Sequence, residues 1–372
     1  MRLPISRALL LAMTLALLTL TASSGLVAKT GLENIPQIPP AWNLQFDSPI
    51  VWQRVGPLGH LLVKTSSTLR GVDPVKGRVV WSHGDLGNLV EDHFEPIPGT
   101  PLVSLSDGLA KPRVVILNSA DGRVVFDSRT SGVAQVLSRH LLPRSGGLLL
   151  LGFRQGKPTT TMFMFDATTG KLRWENDALL SKAGKVTRFL AALVQAATNT
   201  SGVVAEPLEI PGDSFLFASV MELFSINTNT GQINWQVKNV AGGGRKSRFF
   251  MTRRTPEIVY VGTETATQSR TGEYVYTYYA AHRLQDGATV WQKPVKLKGG
   301  LNDVIFTKKG FIVSPRTSSK GKIKLIDYAS GRSLWGKKGK GIEVLGGIVD
   351  HDPSKAGIVI TSGYDSAWTD KG

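Results

Sequence analysis

Two short clusters join carboxylates to an imidazole: Glu91-Asp92-His93 and Asp350-His351-Asp352. Groups of this kind hold divalent metals or move protons. Neighbours on an extended chain point to opposite faces, however, so three in a row do not converge on one ion. Both clusters therefore read as surface loops. His282 lies inside an apolar run and reads as a packing or edge contact. The chain has no cysteine, which removes disulfides, thiolate metal sites and cysteine nucleophiles together. No Gly-x-Ser-x-Gly, phosphate-binding glycine loop or His-Glu-x-x-His is spelled anywhere. Asn199-Thr200-Ser201 is a glycosylation sequon by spelling, relevant only in a eukaryotic secretory host. No catalytic residue, cofactor ligand or metal ligand is expected from these groups.

What remains is charge. The formal net charge is +16, and part of it is local. Between Lys293 and Lys340 thirteen Lys or Arg residues face two acids, Asp303 and Asp327. A basic surface attracts polyanions. The candidate patch is Lys296, Lys298, Lys308, Lys309, Arg316, Lys320, Lys322 and Lys324, with an acidic protein or an envelope-associated anion as its partner. A merely solubilising face is the other reading of the same charge. Oligomeric state has no signature in the sequence.

The N-terminus has the form of an export signal. Arg2 and Arg7 precede an apolar run from Ala8 to Leu20, and small residues at Ala22-Ser23-Ser24 or Val27-Ala28 offer cleavage sites. Residues 1–28 read as a secretory signal peptide whose apolar run is short for a membrane span of about 20 residues. An uncleaved anchor is the alternative. No later segment is apolar enough to cross a bilayer. A periplasmic or secreted address follows, and nucleic acid is not expected there.

The elements that would carry the charged patch come from a repeat. Six copies share an apolar stretch, Asp or Asn, two or three turn residues, Gly, three residues and an aromatic. The glycine–aromatic pairs are Gly77 and Trp81, Gly122 and Phe126, Gly170 and Trp174, Gly231 and Trp235, Gly287 and Trp291, and Gly331 and Trp335. The position four before the glycine is Asp or Asn in five copies and Arg283 in the other. Each copy predicts a β-hairpin: an Asx residue opens the turn, and glycine supplies the positive φ that closes it. Alternation in Lys171-Leu172-Arg173-Trp174 predicts Leu and Trp on one buried face. Further strands precede the copies at Leu61–Val63, Leu148–Leu151, Phe215–Phe217, Ile258–Gly262 and Phe311–Val313. Three or four short strands per period of about 45 residues is the signature of a propeller blade.

The pattern aromatic-Asp-x-x-Thr-Gly-Lys-x-x-Trp, as at Phe165 to Trp174, resembles the PQQ-like repeat of quinoprotein alcohol dehydrogenases and of the barrel-assembly lipoprotein BamB. The resemblance spans about residues 50 to 365. It implies an all-β propeller of four-stranded antiparallel blades, about seven in number: six hairpin copies plus one closing or incomplete blade. It is poor in functional detail, because the motif serves blade packing. The quinoprotein enzymes bring a bound calcium, a catalytic aspartate and a vicinal cysteine pair, and no motif here matches them. The resemblance to BamB implies protein–protein contact, while the missing lipidated cysteine departs from it. A quinone- or carbohydrate-binding propeller enzyme is the alternative.

Three irregularities complete the layout. Lys185 to Ala197 places Val186, Phe189, Leu190, Leu193, Val194 and Ala197 at helical spacing, which predicts a short helical insertion over about 182–200. Gly357 to Gly363 reads as a strand of a further blade. Either the N-terminal segment 29–49 and the strand around Trp42 to Trp52 complete that blade, or the chain is a fragment of a longer propeller. The propeller is expected over 50–372.

Overall fold

The computed structural model describes residues 41–107, 112–157, 159–177, 206–218, 222–238, 240, 246–269, 272–302, 304–314, 320–345, 347–350 and 359–362. The segments expected to be a signal peptide and a helical insertion, the sequon, Arg316, His351 and Asp352 lie outside these residues. The chain divides into a unit ending at Gln45 and a second unit from Phe46 onward.

That unit is a succession of antiparallel meanders, six of four strands and one of two. The first sheet has β1 (Ile50–Val55), β2 (Leu61–Thr65), β3 (Leu69–Asp73) and β4 (Arg78–His83). The second has β5 (Glu95–Pro96), β6 (Leu102–Ser106), β7 (Val114–Asn118) and β8 (Val124–Asp127). The third has β9 (Val133–Leu142), β10 (Gly147–Arg154), β11 (Thr160–Asp166) and β12 (Leu172–Asn176). The fourth has β13 (Leu208–Ile210), β14 (Ser214–Ala218), β15 (Glu222–Asn227) and β16 (Ile233–Lys238). The fifth has β17 (Lys246–Phe250), β18 (Ile258–Ser269), β19 (Gly272–Arg283) and β20 (Val295–Lys298). The sixth has β21 (Val304–Phe306), β22 (Gly310–Val313), β23 (Lys320–Asp327) and β24 (Ile342–Leu345). β25 (Gly347–Asp350) and β26 (Val359–Ser362) pair with one another. This is the propeller class that the repeat implied. The strand around Trp52 is β1 of the first sheet, not a partner of the last one, because its register runs Trp52↔Lys64 to Val55↔Leu61 against β2.

Both faces of each middle strand are apolar, as a sheet covered on two sides demands. On β10, Leu148 and Leu150 join Ile116, Phe126 and Val114 of the second sheet, while Leu149 and Leu151 join Phe215, Phe217 and Phe224 of the fourth. Side chains alternate across a strand, so one continuous run of leucines serves two interfaces. Comparable layers join the first sheet to the second, the fourth to the fifth and the fifth to the sixth.

The six repeat turns form as expected, and in the first four copies the aromatic lies on the returning strand. In the fifth and sixth the return is only an isolated bridge, His282↔Thr289 and Ile326↔Ser333, and Trp291 and Trp335 precede β20 and β24. Every motif glycine has φ between 58° and 74°, and its N–H donates to the carbonyl of the residue four before it. The Asx side chain opens the turn: Asp73, Asp166 and Asn227 each accept two backbone N–H groups through Oδ1. The indoles, however, act between sheets. Trp81 donates to the Ser119 carbonyl at 3.0 Å, Trp174 to Thr228 at 2.9 Å, Trp235 to Leu284 at 2.8 Å and Trp291 to Tyr328 at 2.9 Å. In each case the acceptor lies in the next hairpin. The next glycine is flattened against the same ring. A Cβ at Gly122, Gly231, Gly287 or Gly331 would fall about 2.5–2.6 Å from the preceding tryptophan.

Two expectations are corrected. Leu172 and Trp174 do not share a buried face. A bulge at Arg173 pairs Met164 with Trp174 and Phe165 with Leu172, and the same irregularity recurs in the first, second and fourth sheets. The extra residue turns Val79, Val124, Leu172 and Ile233 outward, each more than a third exposed. The aromatics are also not uniformly buried. Trp81, Phe126, Trp174 and Trp291 are, while Trp235 and Trp335 are only half-buried.

Candidate functional site

Strand direction decides which basic residues meet. In the sixth sheet β21 runs to the turn at Lys308 and Lys309, and β23 enters from the opposite end at Lys320 and Lys322. The turn lysines are exposed but lie at the motif-hairpin end of the sheet. Lys296 and Lys298 stand on β20, which runs beside β23 of the next sheet. The structure thus separates Lys308 and Lys309 from β20, and it is Leu297 that packs toward the sixth sheet, so Lys296 and Lys298, alternating with it, turn to the other face of the fifth. Lys322 is exposed, and Lys324 is half-buried. Burial and then the neighbouring Lys322 hold the Lys324 ammonium below its ordinary value.

Lys296 and Lys298 are placed by aromatic rings. The register of β19 with β20 sets Tyr276 opposite Lys298 and Tyr278 opposite Lys296. The Lys296 ammonium lies 4.1 Å from the Tyr276 ring centre and 5.5 Å from that of Tyr278. The Lys298 ammonium lies 5.2 Å from the Tyr274 ring centre. A cation over a ring face is attracted by the ring's quadrupole, by about 0.5–1 kcal/mol at exposed sites. Among the described residues no carboxylate comes within ion-pair distance of either ammonium. The result is an exposed face with fixed positive charge on an aromatic floor. It can hold anions. The three tyrosines were not singled out from the sequence, although Tyr-Val-Tyr-Thr-Tyr is a period-two array in plain view.

The first acidic-histidine cluster is dispersed. Glu91 pairs with Arg54 at 2.8 Å, Asp92 is exposed, and His93 Nδ1 lies 2.6 Å from the Ser106 hydroxyl. Among the described residues no three His, Asp or Glu side chains converge as a metal site. Nearby, Arg139 of β9 reaches into the second sheet, donating to Glu95, the Ser104 hydroxyl and the His93 carbonyl. Burial lowers its pKa against the opposing pull of Glu95. This group ties two sheets together, and no local pattern announces it because its partners are 35 to 46 residues away. Burial, and then Arg139, push the adjacent His140 imidazole down to about 4. His282 is buried as expected; its Nδ1 carries the proton, since its partner at 3.0 Å is the Gly287 carbonyl, which can only accept.

A cleft of about 410 Å³ opens beside Arg113, Ser128, Arg129, Gln135 and Gln155. Its Arg113 is occupied by Asp127 and Asp85 at 2.7 and 2.8 Å. Among the described residues no helix is long and apolar enough to cross a membrane.

Residues 42–337 match the family model described as outer membrane protein assembly factor BamB. Similar solved structures include BamB from Moraxella catarrhalis, at 13% identity over 79% of this chain and 76% of that one, with a TM-score of 0.40. Sqt1 from Saccharomyces cerevisiae aligns at 10% identity over 86% of this chain and 83% of that one, with a TM-score of 0.45. A europium-containing methanol dehydrogenase aligns at 13% identity over 82% and 71%, with a TM-score of 0.41. No curated protein sequence matches the chain.

Proposed function

The chain belongs to the family described as outer membrane protein assembly factor BamB, and from that membership we propose that it is an exported, non-catalytic scaffold that presents a surface to acidic protein partners of the cell envelope. The observation that carries the reading is the face formed by β19 and β20, where Lys296 and Lys298 are held over tyrosine rings and, among the described residues, no carboxylate lies within ion-pair distance. Charge arranged this way steers and orients an acidic partner, and its contribution falls as salt screens it. The export signal at residues 1–28 supports the envelope address, and the family supports assembly work there.

The test is retention of partners from envelope extract of the host on the immobilised mature chain, at about 0.05 and 0.5 M salt. Partners held at low salt and released at high salt are the expected result. Retention that ignores salt overturns the acidic-partner reading. A rise in melting temperature with PQQ and calcium, with dye reduction in an alcohol, overturns the non-catalytic one.

A further inference from the structure

We propose that the overlong hairpin of the fifth sheet is the seat of recognition, and that Tyr274, Tyr276, Tyr278, Lys296 and Lys298 cradle an extended polypeptide segment carrying acidic side chains at alternate positions. The inference rests on the protein-binding reading above and adds to it the place and the conformation of the partner.

β18 and β19 have 12 residues each, against 5 in β17 and 4 in β20. They pair without interruption from Ile258↔Arg283 to Ser269↔Gly272. Among the described residues β17 accompanies them as far as Glu264 and β20 as far as Tyr276, with the Gly299 N–H donating to the Val275 carbonyl one step beyond. Past those points the two strands continue as a ribbon. A two-stranded ribbon is marginal in water, so added length of this kind needs a reason. Core packing is not that reason. The fifth sheet's layer against the sixth uses Tyr260, Tyr279, Ala281, Trp291, Leu297 and Leu301, and among the described residues no part of β18 beyond Tyr260 or of β19 before Tyr279 belongs to its buried cluster.

Alternation gives the ribbon two different faces. Thr277 is buried, and its hydroxyl donates to the Gly299 carbonyl at 2.8 Å. Tyr274, Tyr276 and Tyr278 therefore share the opposite face, where all three are half-exposed. Their repeat is two residues, about 6.8 Å along the strand. Thr265 of β18 lies opposite Tyr276 and adds a hydroxyl to the same face. Each lysine leans along the ribbon by one ring, Lys298 onto Tyr274 and Lys296 onto Tyr276. The two ammonium groups thus stand over successive members of the tyrosine row. An ammonium has three N–H donors, and a ring beneath it leaves donors turned outward.

The partner must supply anions at that repeat. An extended peptide places alternate side chains on one face at about the same spacing, so a Glu-x-Glu segment sets successive carboxylates over the two ammonium groups while its backbone crosses the tyrosines. An anionic glycan offers charge without the two-residue period.

The experiment uses the mature chain and three fluorescent probes of about twelve residues: one alternating Glu and Thr, one of the same composition with the Glu residues in a block, and one with Gln for Glu. Anisotropy titration at low salt should show the alternating probe binding about tenfold tighter than the block probe, with the Gln probe weaker still. The double variant Lys296→Gln/Lys298→Gln and the variant Tyr276→Ala should each weaken the alternating probe by about tenfold. Tyr276→Phe, which keeps the ring face, should bind as the parent does, and so should Lys308→Gln/Lys309→Gln at the other end of the sheet. Equal binding of the alternating and block probes overturns the proposal. So does an undiminished double lysine variant that melts like the parent. Tighter binding of an oligogalacturonate, lost in the same variants, assigns the face to a glycan and overturns it too. If envelope partners remain salt-sensitive in the double lysine variant, the hairpin inference falls while the scaffold reading stands. If no partner is retained at either salt, both fall.

Discussion

One N–H group separates the tryptophans of the repeat from Phe126. Trp174 buries its ring among Leu149, Met164, Phe215 and Phe224 and donates to the Thr228 carbonyl in the next sheet. Trp174→Phe removes the donor and leaves most of the packing, so a loss of about 1 kcal/mol is expected. Trp174→Ala opens a cavity as well, and a loss of about 3–5 kcal/mol is expected. Urea unfolding of the two variants beside the parent measures the difference. Gly231→Ala should be as damaging as its small size is misleading. Its φ is 70°, and the new Cβ would meet Trp174 at 2.5 Å. The sequence shows each glycine four residues before its own aromatic, yet Gly122, Gly231, Gly287 and Gly331 touch the tryptophan of the preceding copy. No spacing within one repeat contains that information. A second residue-scale prediction concerns His140. Its folded pKa, about 4, lies below the ordinary 6.5, so the unfolded chain binds the extra proton. Its contribution to stability is present above pH 6.5, shrinks as pH falls toward about 4, and is lost below that. His140→Phe should flatten the stability-versus-pH curve in that window, as read by thermal melts at closely spaced pH values.

Hairpins were the element most legible in the sequence. Glycine, Asx residue and aromatic fixed the turn, and the apolar runs before each copy fixed the central strands. The bulge before the aromatic was not legible, since Lys171-Leu172-Arg173-Trp174 alternates as an unbroken strand would and only pairing with β11 reveals the extra residue. The second sheet adds a lesson about consensus. A reader of the repeat would replace Phe126 by the tryptophan found in the other five copies. There the following turn sits on backbone: a Cβ at Gly170 would lie 2.2 Å from the Val125 carbonyl, where other junctions offer a ring. Phe126 also packs against Phe165 at 4.7 Å. Phe126→Trp should therefore destabilise by about 1–3 kcal/mol through overpacking, and chemical denaturation would show a lowered midpoint at unchanged slope. The length of β18 and β19 was half visible. The run from Ile258 announced a strand, but its continuation past Gly262 through Thr and Tyr residues carried no signal of where the neighbouring strands would stop.

Across the molecule the net charge of +16 was read at once, whereas its grouping depended on strand direction. Of the eight basic residues close in sequence, seven are described: two stand on β20, three on β23, and Lys308 and Lys309 at a turn on the other end of the sixth sheet. Charge reversal should therefore act by place: Lys296→Glu/Lys298→Glu should abolish salt-sensitive retention of envelope partners, while Lys308→Glu/Lys309→Glu, with the same change in net charge, should leave it intact. The indole junctions have a consequence for lineage as well. Each one is encoded half in one copy of the repeat and half in the copy that follows. Duplication or loss of a whole period therefore joins an existing donor to an existing acceptor and requires no new chemistry at the seam. Descent can lengthen or shorten such an array one period at a time while every intermediate keeps its sheets bonded.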